Sequence, residues 1–176
     1  MATTLIPTRI SVEEYLKTSA SPDCEYVRGV IKERAVGELD HAAWQAALIR
    51  WFSERNSAWN IRVYPELRVQ VADDNFRVPD VTILSRNAPR EQFVTQPPLA
   101  VFEILSPTDT RIDMLERLAD YQQMGIPAIW LINPESGPKK PSYYLYSSGQ
   151  LTPATTFELP GTAFQVAMSE IASLVD

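Results

Sequence analysis

Two lone acidic residues stand in otherwise apolar, strand-like segments of the sequence. Asp80 follows Pro79 within RVPDVTIL, and Glu103 lies within LAVFEIL. Burying a carboxylate in such a segment is costly unless it is paired or binds a metal. Two carboxylates leaving neighbouring strands are the donors that a hard divalent cation such as Mg²⁺ takes up. The alternatives are a solvated strand end for Glu103 and an ordinary turn position for Asp80.

A predicted helix adds a cation to these acids. Asp113, Arg117 and Tyr121 recur every four residues, so they line one helix face. A cation beside a metal site suits a phosphodiester, and Arg117 would stabilise the charge that develops on the phosphorane oxygens. The alternative is a surface ion pair between Asp113 and Arg117, worth about 0.3–0.5 kcal/mol, beside a packed tyrosine.

The composition limits the class of protein. The chain has 176 residues, 45% of them hydrophobic and 22% charged, which predicts a single domain over residues 1–176. One cysteine, Cys24, excludes an internal disulfide framework and fits a reducing cytoplasm. The first residues lack the pattern of a signal peptide, and no apolar run is long enough to cross a membrane. We therefore expect a cytoplasmic protein.

The charge balance bears on nucleic-acid binding. The net charge of −6 argues against a general, non-specific nucleic-acid binder. Of the 16 basic residues only four are lysine, and arginine is the better residue for bidentate phosphate contacts. A local arginine groove is therefore compatible with an acidic protein. The alternative is that most of these arginines pair at the surface with the 22 acidic residues.

Hydrophobic periodicity and turn signals predict the elements that position these residues. In chain order they are a short helix opened by a capping box at Ser11–Glu14, a hairpin over 25–36 turning near Arg28–Gly29, a helix over 40–56, strands over 61–71 and 76–84, a loop over 85–98, a central strand over 99–105, a helix from a Ser106 cap to Met124, strands over 128–132 and 141–147, and a last helix from Ser169. This order predicts an α/β (α+β) fold in which helices flank a mixed central sheet, after an N-terminal helix and hairpin.

Taken together, these segments resemble a known family. The matching stretches are Glu25 with Gly29, His41, Pro79–Asp80, Val101 to Pro107, Asp113 to Tyr121, and Gly125 to Trp130. The pattern resembles the putative restriction endonuclease family of the PD-(D/E)xK nuclease superfamily, from about residue 10 to residue 147. The resemblance implies a restriction-endonuclease-like fold and a metal-dependent DNA endonuclease.

The resemblance also implies roles for individual residues. Asp80 and Glu103 would ligate Mg²⁺ or Mn²⁺, with the Ile104 carbonyl as an additional donor, and Glu25 would contribute a third acid. Oxygen donors suit these ions better than zinc. The implied partner is double-stranded DNA, and cutting two strands favours a homodimer.

The sequence departs from the family at the catalytic lysine, whose place is taken by Arg117. Arginine stays charged and cannot take a proton from water, so Arg117 is left to orient water or stabilise the transition state. The alternative is a catalytically impaired nuclease-fold protein that binds DNA or a protein partner. His41, the only histidine, either lies near the site, as the family pattern implies, or is a polar residue at a helix end.

Overall fold

The computed structural model describes residues 9–18, 24–34, 38–134 and 140–175. Four α-helices and twelve β-strands lie in these ranges. In chain order they are α1 (Val12–Leu16), β1 (Glu25–Val27), β2 (Val30–Lys32), α2 (Leu39–Ser53), β3 (Ile61–Pro65), β4 (Val69–Ala72), β5 (Asn75–Arg77), β6 (Val81–Ser85), β7 (Ala100–Ile104), α3 (Arg111–Met124), β8 (Ala128–Asn133), β9 (Ser142–Ser147), β10 (Gln150–Pro153), β11 (Thr156–Glu158), β12 (Gln165–Ala167) and α4 (Met168–Ala172). The fold is mixed α+β, as predicted.

A mixed six-stranded sheet forms the centre, in the order β10-β9-β8-β7-β6-β3. Strands β7 and β8 are parallel, and the other neighbours pair antiparallel. Helix α3 makes the crossover that a parallel pair requires. A second, antiparallel sheet has the order β2-β1-β5-β4, and β11 pairs with β12.

Helices cover both faces of the central sheet. Phe102 and Ile104 of β7 lie in the core that contains α2 and α4, whereas Val101 lies in the core beneath α3. All five residues of β7 are buried, which confirms the prediction of a strand covered on both faces. Glu103 occupies the α3 side of this strand, two residues beyond Val101.

Two strands that the sequence predicted as continuous are each divided between the two sheets. The predicted strand 61–71 is β3 and β4, separated after Pro65 by Glu66, whose φ is 48°. The predicted strand 76–84 is β5 and β6, interrupted at Pro79, which cannot donate to a ladder. Both single-strand predictions were wrong. The alternation of apolar residues continues across each break, so the sequence pattern gives no sign that the strand is interrupted. The second break places Asp80 where the two sheets meet.

The start of α3 also differs from the prediction. The helix is capped by Thr110, whose Oγ1 accepts a hydrogen bond from the Asp113 N–H at 3.1 Å. Ser106 instead begins a separate turn, in which its N–H donates to Asp109 Oδ2 at 2.8 Å. Gly125 ends the helix with φ 89°, as predicted.

The hairpins differ in how well they were predicted. The capping box of α1 is confirmed, as is the turn between β1 and β2, where Arg28 and Gly29 both have positive φ. Residues 35 and 36 of the predicted hairpin lie outside the described residues. Strand β10 was missed, although Ser148 and Gly149 have positive φ and form a comparable two-residue turn. None of the helices in the described ranges is long and apolar enough to span a membrane.

Candidate functional site

Asp80 is fixed at the end of β7 by three groups. Its Oδ2 accepts a hydrogen bond from the Ile104 N–H at 2.7 Å, and its Oδ1 accepts one from Arg34 Nη2 at 2.6 Å. His41 Nε2 lies 3.2 Å from Oδ2. Asp80 is buried, so it is not the exposed turn aspartate of the alternative interpretation.

Glu103 is fully buried on β7, on the side of the strand that faces α3. Its Oε1 accepts a hydrogen bond from the Tyr121 hydroxyl at 2.6 Å, and its Oε2 accepts one from Arg117 Nη1 at 2.7 Å. The solvated alternative for Glu103 is therefore wrong. Arg117 and Tyr121, which were predicted to share a helix face, therefore both donate hydrogen bonds to the carboxylate of Glu103.

Glu25, the third predicted acid, lies on β1 and is also buried. Its Oε2 accepts from Arg77 Nη1 at 2.7 Å, and its Oε1 accepts from the Val78 N–H at 3.3 Å. Arg77 extends the network to Asp120, whose Oδ2 lies 2.6 Å from Arg77 Nη2. Glu25 thus belongs to the same network as Glu103, because Arg117 contacts both.

Arg117 connects the acids from the helical side. Its guanidinium lies 2.7 Å from Glu103, 3.4 Å from Glu25 and 3.8 Å from Asp109. Only 12% of its side chain is exposed, so it is not part of a surface ion pair with Asp113. Its buried Nε has no hydrogen-bond acceptor among the described residues, because the contact with Glu25 lacks hydrogen-bond geometry. This buried N–H faces Glu25 and is not open to the cavity.

Two arginines of the network, the part-buried Arg34 and the buried Arg77, were not identified from the sequence. Arg34 bridges Asp80 and Glu66, and Arg77 bridges Glu25 and Asp120. Arg77 stands alone in the apolar segment FRVPDV, which is the same anomaly that marked Asp80. Searching such segments for lone cations as well as lone acids would have found it. Arg34 lies in the mixed segment KER and carries no comparable signal.

His41 lies at the site, as the family pattern implied. Burial lowers the pKa of its imidazole, but the hydrogen bond to Asp80 and the charges of Asp80 and Glu103 outweigh burial and leave this pKa above its ordinary value. A protonated His41 donates to the carboxylate of Asp80. The histidine therefore holds Asp80 in place from the first turn of α2.

The pKa of Glu103 is raised from 4.5 to about 7, chiefly by burial. The charges of Asp80 and Glu25 add to this increase, whereas Arg117 and the hydrogen bond from Tyr121 oppose it. The folded protein therefore holds this proton more tightly than the unfolded chain does. Ionising Glu103 costs stability progressively as the pH rises from about 4.5 to about 7, and the penalty then persists at higher pH.

The raised pKa of Glu103 predicts how the stability of Glu103→Gln depends on pH. The variant cannot ionise, so its free energy of unfolding should rise relative to that of the native protein by about 2–3 kcal/mol between roughly pH 5 and pH 8. Urea unfolding of both proteins at each pH measures this difference. A difference that stays constant, or that changes in the opposite direction, would contradict the buried position of Glu103.

The donors at the site fit a hard cation only in part. In the described ranges, no three acidic, histidine or cysteine side chains are close enough to enclose a metal ion. Asp80 and Glu103 are two oxygen donors beside the Ile104 backbone, and Mg²⁺ is commonly held by one or two carboxylates plus water and phosphate oxygens. The chemistry of the donors therefore suits Mg²⁺ or Mn²⁺. Both carboxylates also contact arginines, with which an ion would have to share them.

A cavity of about 360 Å³ opens beside this network. Its lining includes Thr110, the N-cap of α3, and equal numbers of cations and acids: Lys32, Arg34, Arg77 and Arg117 with Glu25, Glu33, Asp109 and Asp113. Asp113 is at its edge and pairs with Lys32 at 3.3 Å. The guanidinium groups and the N-terminus of α3 are the parts of this lining that favour a phosphate-bearing ligand, whereas the four acids oppose it.

The sequence and the fold were compared with known proteins. A family model described as Uma2, putative restriction endonuclease, matches residues 12–166. The crystal structure of a putative nuclease of DUF820 from Anabaena variabilis is 21% identical, covers 95% of this chain and 99% of its own, and has a TM-score of 0.76. The DrdV–DNA complex is 16% identical, covers 74% of this chain and 11% of its own, and has a TM-score of 0.41. The search of the curated proteins found no match. The Anabaena match shows a shared fold.

Proposed function

Because this chain belongs to the putative restriction endonuclease family, we propose that it is a metal-dependent DNA endonuclease in which Asp80 and Glu103 hold Mg²⁺ or Mn²⁺. One observation carries the proposal. The carboxylate of Asp80, just before β6, accepts a hydrogen bond from the N–H of Ile104, the residue that follows Glu103 on β7, and the charge of Asp80 helps to raise the pKa of Glu103.

Asp80 and Glu103 would each supply a carboxylate oxygen, and water and a substrate phosphate would fill the other positions around the ion. When bound, Mg²⁺ would lower the pKa of a coordinated water and offset the charge of the scissile phosphate. Glu25 would act through water, because its own oxygens contact Arg77, Val78 and Arg117.

Arg117 would bind the phosphate and stabilise the charge that builds up in the transition state. Burial lowers the pKa of its guanidinium, but the charges of Glu103 and Glu25 outweigh burial and raise this pKa above its ordinary value. Arg117 therefore stays protonated and does not remove a proton from water. Arg117 lines the cavity with 12% of its side chain exposed, and this exposed part of the guanidinium would donate to a phosphate oxygen.

Double-stranded DNA is the substrate that we propose, and a homodimer would place one site at each strand. Arg34, Arg77 and Arg117 would supply the phosphate contacts at the cavity, beside the four acids that also line it, in a chain whose net charge is −6. Phosphate contacts of this kind position a duplex without reading its sequence.

One observation favours a second function, that of a non-catalytic nuclease-fold protein that binds DNA or a protein partner. Arg34 and Arg117 already neutralise the two carboxylates that a metal would need. If these ion pairs are stronger than the attraction of the acids for Mg²⁺, the site would bind phosphate without cleaving it.

The substitution Arg117→Lys distinguishes the two functions. We expect the native protein to nick supercoiled plasmid in the presence of Mn²⁺, and the variant to do so at a rate within about tenfold, because lysine keeps the positive charge but loses bidentate geometry. Gel analysis of plasmid nicking measures both rates, with EDTA as the control. A native protein that does not nick, together with an active Arg117→Lys variant, would establish the non-catalytic function for the native chain.

A further inference from the structure

A larger cavity, of about 550 Å³, lies apart from the acidic network. Arg62 and Tyr64 of β3 and Leu84 of β6 contribute to its wall, and the loop 86–98 closes it. None of the four predicted site residues lines it. Its volume is within the range of small-molecule sites, which is about 300–1,000 Å³.

Arg62 differs in its contacts from the arginines of the acidic network. Its Nη2 donates to the backbone carbonyls of Ala88, at 2.6 Å, and Ser85, at 3.3 Å. In the part of the chain that the structure describes, no carboxylate forms an ion pair with it, and its buried Nε has no hydrogen-bond acceptor. A part-buried guanidinium without a counter-charge favours an anionic ligand.

The rest of the wall combines charge with surfaces for a planar group. Arg90 adds a second cation, and Glu91 adds one acid, whose Oε2 accepts from Thr95 Oγ1 at 2.8 Å. Tyr64 is 37% exposed, and its ring contacts no other aromatic ring among the described residues. The side-chain amides of Asn87, Gln92 and Gln96 offer donors and acceptors at the rim.

We propose that this cavity binds a nucleotide, with its phosphate at Arg62 and Arg90 and its base against Tyr64. Base–aromatic stacking and guanidinium–phosphate contacts are the two interactions that nucleotides use most readily. The ligand is either a free mononucleotide or the terminal nucleotide of a DNA strand, since both present the same base and phosphate. Binding at this cavity needs neither metal nor cleavage, so it does not depend on the proposed nuclease activity.

Isothermal titration calorimetry in EDTA tests the proposal with four ligands: dAMP, deoxyadenosine, inorganic phosphate and a 5′-phosphorylated single-stranded trinucleotide. We expect dAMP to bind, and both deoxyadenosine and phosphate to bind at least about tenfold more weakly, because each keeps only half of the contacts. Tighter binding of the trinucleotide than of dAMP would identify a strand end as the ligand. Tighter binding of dAMP would identify the free nucleotide.

Matched variants locate the binding. Arg62→Gln and Tyr64→Leu should each weaken dAMP binding by about tenfold, whereas Arg86→Gln, which removes a cation that does not line the cavity, should leave it within about twofold. If Arg62→Gln loosens the loop that it anchors, as circular dichroism would reveal, Tyr64→Leu and Arg90→Gln decide the outcome. The absence of dAMP binding at millimolar concentration, or equal binding by Arg86→Gln and Tyr64→Leu, would overturn the proposal.

Discussion

Asp80→Asn is expected to reduce metal-dependent DNA cleavage by about 10²–10³-fold, the loss typical of removing one preorganised group that stabilises charge. Asparagine keeps the shape of the side chain and one oxygen, but it removes the negative charge that would attract the ion. The part-buried Arg34 then also lacks its closest carboxylate, which lies 2.6 Å away in the native protein. Plasmid nicking and calorimetric Mn²⁺ titration of both proteins measure the two effects.

The matched control is Asp73→Asn, which makes the same change at an exposed position in the turn between β4 and β5. It should leave both nicking and Mn²⁺ binding unchanged. An Asp80→Asn variant that is folded and nicks DNA as fast as the control would exclude Asp80 from the metal site. Thermal unfolding of both variants shows whether any loss of activity reflects loss of the fold.

Arg77→Met is expected to lower the free energy of unfolding by about 3–5 kcal/mol, the usual cost of removing one partner from a buried ion pair. Arg77 lies between Glu25 and Asp120, with only 3% of its side chain exposed. Without it, the carboxylate of Glu25 stays buried and keeps only the weaker contacts with Val78 and Arg117. Urea unfolding at pH 7 measures the change.

Two further variants make this test specific. Arg50→Met removes an exposed arginine that pairs with Glu54 at 3.5 Å, and it should change stability by no more than about 0.5 kcal/mol. The double variant Arg77→Met/Glu25→Gln should recover part of the loss, because the uncompensated charge is gone. Equal effects of Arg77→Met and Arg50→Met would contradict the buried network.

The sequence alone marked Asp80 and Glu103 as candidate site residues, because the unusual feature of each lies in the few residues around it. A carboxylate in an apolar strand is unusual at any position, so Asp80 and Glu103 could be recognised without knowing the fold. The helical spacing of Arg117 and Tyr121 likewise predicted that both would face one way, and both contact Glu103. That this helix would pack against Glu103 did not follow from the spacing, since nothing in it relates a helix to a distant strand.

The features of the fold and of the site that the sequence did not predict depend on contacts between residues far apart in the chain. The alternation across Glu66 and Pro79 favours one strand in each case, and only the presence of two sheets divides them. The start of α3 was ambiguous because Ser106 and Thr110 are both followed by an acid three residues later, and tertiary packing selects the second. The pairing of Arg34 with Asp80 joins residues 46 positions apart, which no local pattern indicates.

The central claim is that Asp80 and Glu103 bind one metal ion between them. A crystal structure of the native protein with Mn²⁺, phased to show anomalous scattering from the metal, tests it most directly. We expect one peak roughly 2.0–2.2 Å from a carboxylate oxygen of each residue, at the end of β7. A well-ordered site in which Arg34 and Arg117 still hold both carboxylates, with no anomalous peak between the acids, would contradict it.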